Sequence, residues 1–116
     1  MVVTPKAPAK KYDRQLRIWG AHGQQALESA RICVLGSGCT ATEALKNLVL
    51  PGIGQFTILD SAVVSEADLG VNFFLDDDSL GKYRAEETVK LLQELNPDVK
   101  GTAITEVYRN DIQCFT

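Results

Sequence analysis

Apolar positions along this chain change period several times, and each change marks an expected element. From Tyr12 to Ser29, the residues Leu16, Ile18, Trp19, Ala26 and Leu27 recur at helical spacing. Gly20 and Gly23 predict a break of that stretch into two short helices. Arg31-Ile32-Cys33-Val34-Leu35 is a short apolar run, the pattern of a strand buried on both faces of a parallel sheet, with Cys33 inside it. From Ala41 the residues Leu45, Leu48 and Val49 fall on one helical face, and Pro51-Gly52 and Gly54 end that helix. Gln55 to Asp60 reads as a second strand. Ser61 to Ser79 follows neither period and is expected to be a long loop with one helical turn. From Lys82 the residues Ala85, Val89 and Leu92 predict a helix stopped at Asn96-Pro97, and Val99 to Val107 alternates weakly as a third strand.

Strands alternating with helices imply an α/β fold with a parallel sheet. The order matches the N-terminal part of a Rossmann-like, doubly wound fold preceded by short helices. Further strands would be needed to complete it, so residues 12–116 are expected to be a partial domain of a longer fold. Met1 to Lys11, with Pro5, Pro8 and several small residues, is expected to be a disordered tail and lacks the apolar core of a signal peptide.

Composition narrows the function. The net charge is -3, and basic residues cluster only at Lys6, Lys10, Lys11 and Arg14, which argues against nucleic acid as a partner. No apolar run reaches membrane-spanning length, so a membrane role is not expected. Cys33, Cys39 and Cys114 form neither a paired framework nor a metal spacing, which points to a reducing compartment, the cytoplasm or nucleus. Asp76-Asp77-Asp78 lacks the spacing of a calcium loop and is expected to be solvated or to cap the helix near Lys82; no metal site is expected.

The candidate chemistry lies after the first strand. Gly36-x-Gly38-x-x-Ala41 opens a helix, the context that a dinucleotide fingerprint requires. Gly36 can make the tight turn, Gly38 lets backbone approach a phosphate, and Ala41 can replace the third glycine where helix packs on strand. Asp60, ending the second strand, stands where a ribose-binding carboxylate is expected. The motif alone fits NAD, flavin and adenylating enzymes equally, and plain packing of strand against helix accounts for it as well.

Several segments together resemble the ubiquitin-activating enzyme superfamily, with its ThiF/MoeB-like adenylation fold. They are Tyr12-Asp13-Arg14-Gln15-Leu16-Arg17-Ile18-Trp19-Gly20; Lys46-Asn47-Leu48-Val49-Leu50-Pro51-Gly52-Ile53-Gly54; Asn72-Phe73-Phe74-Leu75; Leu80-Gly81-Lys82-Tyr83-Arg84-Ala85-Glu86; and Leu95-Asn96-Pro97. The resemblance runs from Tyr12 to Val99. Self-sufficient members carry a second aspartate two positions after the ribose aspartate, where this chain has Ala62. They also carry a Ser-Asn-Leu-x-Arg-Gln-like string whose arginine contacts the phosphates. Here that stretch is Ala67-Asp68-Leu69-Gly70-Val71-Asn72, and the family's catalytic lysine aligns with Arg84, although Lys82 lies close by. Valine cannot neutralise a phosphate and alanine cannot bind magnesium, so this half is expected not to adenylate unaided.

Such losses resemble the regulatory, non-catalytic subunits of heterodimeric activating enzymes for ubiquitin-like modifiers, the neddylation type most closely and the sumoylation type next. The resemblance implies a catalytic partner subunit that holds ATP and magnesium, a ubiquitin-like modifier as substrate, and no cofactor held in cis. Gly36, Gly38 and Asp60 would then be vestigial. It also implies that Arg14 reaches across the dimer to the partner's ATP; on composition alone, a surface arginine paired with a carboxylate such as Asp13 or Glu28 is the simpler reading. Arg17 is expected to be a solvated charge, Trp19 core or dimer interface, His22 structural, and Cys39 a small core residue rather than a thioester cysteine. Two other readings remain open: an NAD-type Rossmann oxidoreductase and a self-sufficient adenylating enzyme, the latter opposed by Ala62 and Val71.

Overall fold

The structure, a computed structural model, describes residues 11–72 and 75–106. The expectation of a disordered tail lies outside them except for Lys11, as does the end of the third expected strand. A three-stranded parallel sheet forms from β1 (Arg31–Leu35), β2 (Gln55–Leu59) and β3 (Lys100–Ile104), in the spatial order β1-β2-β3. Helix α1 (Asp13–Glu28) precedes β1, α2 (Cys39–Val49) joins β1 to β2, and α3 (Glu66–Val71) and α4 (Arg84–Leu95) lie between β2 and β3. Parallel neighbours cannot be joined by a tight turn, which is why a helix stands in each crossover.

Register decides which residues meet. Ile32, Phe56 and Gly101 lie in one row and Val34, Ile58 and Ala103 in another. These rows pack against Leu45 and Val49 of α2 and Ala85, Val89 and Leu92 of α4, with Ile53 and Val99 closing the core. The alternate rows, Arg31-Gln55-Lys100 and Cys33-Thr57-Thr102, belong to the opposite face. Burial of β1 on both faces therefore does not hold: Arg31, Cys33 and Leu35 are exposed. An apolar run signals a doubly covered strand only where a second layer of helices exists, and the described residues supply one layer.

One expectation is met at one of its two glycines, and another changes. The first stretch is two helical segments that meet at Gly20, whose φ of 72° and ψ of 175° are not helical, while Gly23 lies inside the second segment. The expected loop of residues 61–79 contains α3 and a short 3₁₀ turn, Asp77–Ser79. Ser65 and Asp68 form a reciprocal capping box on α3. The acidic run serves the 3₁₀ turn in the same way, because Asp76 Oδ1 accepts from Ser79 N at 3.1 Å.

Two packing details carry predictions. A Cβ at Gly54 would sit 2.2 Å from the Glu28 carbonyl oxygen, because the backbone at the end of α1 lies directly against the residue that leads into β2. Gly54→Ala should cost about 1–3 kcal/mol, read from the denaturant midpoint, since backbone cannot yield as a side chain would. Thr88, on the inner face of α4, is fully buried and its Oγ1 has no hydrogen-bond partner among the described residues. Thr88→Val should raise stability by about 1 kcal/mol, because it removes an unsatisfied hydroxyl while keeping the branched shape. An unchanged midpoint would mean that the hydroxyl is satisfied in solution.

Candidate functional site

The glycine loop lies where β1 ends and α2 begins. Gly36 has a φ of 99°, a region that side chains rarely adopt, and its N–H donates to the Leu59 carbonyl at 2.8 Å. Gly38 is different: its φ is -71°, and a Cβ there would meet nothing within 4 Å. Neither strain nor packing demands a glycine at Gly38. Its effect is to leave the start of α2 uncovered, and α2 has no side-chain N-cap. Cys39 stands exposed in that first turn, so it is not the core residue expected from its size.

Asp60 arrives beside this loop, as expected from the end of β2, but its carboxylate is already committed. Oδ2 accepts from Ser37 N at 3.0 Å, from the Ser37 hydroxyl, and from Arg84 Nε and Nη2 at 3.0 and 2.8 Å. Oδ1 accepts from Ala62 N at 3.0 Å. Arg84 uses its remaining arm, Nη1, on Asp68 Oδ1 at 3.0 Å. One guanidinium is thus shared between two carboxylates, and all three side chains are at most 20% exposed. Asn72, also buried, places its Nδ2 3.5 Å from the Ser37 carbonyl and its Oδ1 3.4 Å from Thr42 Oγ1, backing the loop from behind.

The electrostatics follow from this sharing. Burial by itself would raise the Asp60 carboxyl, but the bonds from Ser37, Ala62 N–H and Arg84 outweigh it and hold it below the usual carboxylate range. Asp68 is also held low, first by the Ser65 N–H, against some burial, with help from Arg84. Burial would weaken the Arg84 charge, but Asp60 and Asp68 more than restore it, and its pKa is raised. The three charges sum to about -1, and none of the guanidinium arms faces outward unpaired. Val71 is 66% exposed, and Lys82, at the rim, lies 4.0 Å from Glu87. The position two after Asp60 is Ala62, and Arg84, the cation beside Asp60, is paired in cis with Asp60 and Asp68.

Arg14 lies elsewhere. Tyr12, just before α1, is 6% exposed, and its hydroxyl accepts from Asn96 Nδ2 at 2.9 Å. Gln15 Nε2 donates to the Pro51 carbonyl at 2.8 Å, and buried Gln24 donates to the same oxygen at 3.2 Å. Trp19 is 42% exposed and is not core; its Nε1 donates to Gln24 Oε1 at 3.0 Å. These bonds hold the start of α1 against the C-terminal end of α2. The glycine loop is at the other end, about 16 Å away along eleven helical residues. Arg14 is exposed and has no ion pair among the described residues; Asp13 pairs instead with Arg17, at 3.1 Å, on the surface. His22 is exposed and makes no side-chain hydrogen bond or ion pair among the described residues.

This arrangement of strand, glycine loop, helix and strand-end aspartate, preceded by a docked helix, has clear relatives. Residues 12–113 match the ThiF family. The chain belongs to the ThiF family. Among curated relatives, it is 60% identical over 97 residues to the "NEDD8-activating enzyme E1 regulatory subunit" of Xenopus laevis, covering 84% of this chain and 18% of that protein. It is 52% identical over 107 residues to the protein of the same name from Drosophila melanogaster, covering 88% of this chain and 20% of that protein. The chain thus spans about a fifth of the length of the curated relatives it matches. Among solved structures, E. coli tRNA N6-threonylcarbamoyladenosine dehydratase TcdA in complex with ATP superposes with a TM-score of 0.84 at 25% identity, over 98% of this chain and 48% of that one. E. coli MccB with ATP superposes with a TM-score of 0.77 at 20% identity, over 90% of this chain and 33% of that one, a likeness of fold alone.

Within the ThiF fold, the segments that carry the resemblance turn out to touch. Tyr12 and Gln15 meet Pro51 and Asn96, so three separate motifs make one joint. Sequence reasoning read Asn96 as a helix stop and as part of the Leu95-Asn96-Pro97 segment, and assigned its side chain no partner. It also treated Asp68 as a lost asparagine, not as the second anchor of Arg84. The available signal was the residue types themselves, since an aspartate at 68 and an arginine at 84 are a pair suited to bind each other.

Proposed function

We propose that this chain is part of the regulatory subunit of a heterodimeric activating enzyme for a NEDD8-like ubiquitin-like modifier, acting in the cytoplasm or nucleus. It does not adenylate by itself. Its partner subunit holds ATP and magnesium and adenylates the modifier's C-terminal glycine, and this subunit supplies a docking surface and Arg14. The observation that carries the reading is the Arg84 guanidinium bound to both Asp60 and Asp68. Where an adenylating pocket needs unspent positive charge, this one has spent it internally. The names of the relatives support the modifier class, and the position of Arg14, a helix length from its own glycine loop, supports a role toward a neighbouring subunit.

An NAD-type oxidoreductase is disfavoured by the same geometry, since a ribose would have to compete with Ser37, Ala62 and Arg84 for Asp60. ATP–pyrophosphate exchange by the full-length protein tests the reading. Exchange should be undetectable with the protein and modifier alone, and should appear when the catalytic subunit is added. Exchange by the protein without that subunit would overturn it.

A further inference from the structure

The amide of Asn96 is the most heavily used side chain in the joint that holds α1. It is fully buried. Its Nδ2 donates to Tyr12 Oη at 2.9 Å and to the Val49 carbonyl at 2.8 Å, and its Oδ1 accepts from Asp98 N at 3.2 Å and from the Lys11 ammonium. A primary amide offers two donor hydrogens and two acceptor lone pairs, and all four are taken. The partners come from three parts of the chain: the residues ahead of α1, the end of α2, and the turn before β3. Tyr12 Oη in turn lies 3.2 Å from Asp98 Oδ2, closing the circuit.

This circuit matters because of what stands beside it. Tyr12 is the N-cap of α1, and no side chain caps that end. Tyrosine is not a capping residue, so the local support of the first turn is limited to the Leu16 N–H bond to the Tyr12 carbonyl, the charge of Asp13 and its exposed pair with Arg17. The conformation of that turn is fixed largely by long-range bonds, the Tyr12 phenol to Asn96, 84 residues away in sequence, and Gln15 Nε2 to the Pro51 carbonyl. Arg14 is the second residue of that turn. It makes no ion pair among the described residues, and the neighbouring Arg17–Asp13 pair is too exposed to brace the turn. Frayed helix ends open easily, and a side chain on a frayed turn loses its direction.

We propose that Asn96 is a positioning residue that acts on Arg14 through Tyr12: it fixes the first turn of α1 so that the Arg14 guanidinium leaves the surface in one direction. This rests on the proposed role of Arg14 toward a partner's nucleotide. The role needs a pre-set direction, because a guanidinium displaced by an ångström loses most of its effect on a phosphate.

The test is ATP–pyrophosphate exchange by the full-length protein assembled with its catalytic subunit and modifier. Asn96→Leu and the milder Tyr12→Phe, which keeps the ring and removes only the hydroxyl, are each measured with and without Arg14→Ala. Each should lower kcat roughly tenfold in the Arg14 background, with KM for the modifier unchanged, and should add nothing once Arg14 is alanine. An equal further loss in the Arg14→Ala background would show a general structural effect and overturn the proposal. No loss from Tyr12→Phe or Asn96→Leu in the Arg14 background would also overturn it. A silent Arg14→Ala would overturn the trans-arginine reading first and this proposal with it, so the two failures are distinguishable.

Discussion

Arg14→Ala is expected to lower ATP–pyrophosphate exchange by the assembled enzyme on the order of a hundredfold, with little change in the stability of this subunit. A guanidinium delivered from one subunit to a phosphate held by another acts where charge develops and water is excluded, so its loss appears in the chemical step. The isolated subunit should barely notice, because Arg14 is exposed and has no ion pair among the described residues. Arg14→Lys should recover only part of the rate, since an ammonium keeps the charge but not the planar fork. Unchanged exchange in Arg14→Ala, with assembly intact, would remove this role and leave the chain a docking partner only.

Asp60→Ala should be the most damaging single change to this charge network. Five hydrogen bonds end on this carboxylate, from Ser37 N, the Ser37 hydroxyl, Ala62 N, and Arg84 Nε and Nη2. Its removal leaves a largely buried guanidinium with Asp68 as its remaining carboxylate and releases the loop between β1 and α2. A fully buried broken pair costs 3–5 kcal/mol; with water reaching part of this one, about 2–3 kcal/mol is expected, read from hydrogen exchange of the β2 amides.

The pH dependence has a definite sign. Asp60 and Asp68 have folded-state pKa values below their ordinary ones, so their stabilisation is complete above about pH 4 and is lost as the pH falls through the folded values. The raised pKa of Arg84 keeps its stabilisation in place at every pH below its ordinary value, so it adds nothing to acid sensitivity. Asp60→Ala should therefore flatten much of the acid limb of the stability curve, leaving the part due to Asp68. An acid limb identical to that of the wild type would show that the pairing does not persist in solution.

These expectations also explain why the glycine loop is a poor guide to function. Gly36 is required by its backbone and Gly38 leaves a helix start open, as in a working nucleotide site. The difference lies in the charges around them. Arg84 is not missing from the pocket; it is occupied. Two carboxylates against one cation give a locally satisfied network, and the proposed function rests on its leaving no unspent positive charge for a triphosphate.

Much of this was fixed by short-range chemistry and so was readable in the sequence. The three strands, the helices carrying Leu45, Val49, Ala85, Val89 and Leu92, the turn at Gly36 and the arrival of Asp60 beside it all follow from periodicity and from glycine's backbone freedom. The residue types on which the proposed lack of adenylation rests, Ala62 and Val71, are read there directly as well. What only the tertiary structure decided is which groups far apart in the chain become partners. Asp68 and Arg84 are sixteen residues apart, Tyr12 and Asn96 eighty-four, and no local pattern encodes either meeting. The exposure of Cys33 and Cys39 was likewise invisible, because burial depends on whether a second layer covers the sheet and on which side of a helix start a residue falls. A period tells which residues share a face; only packing tells what that face meets.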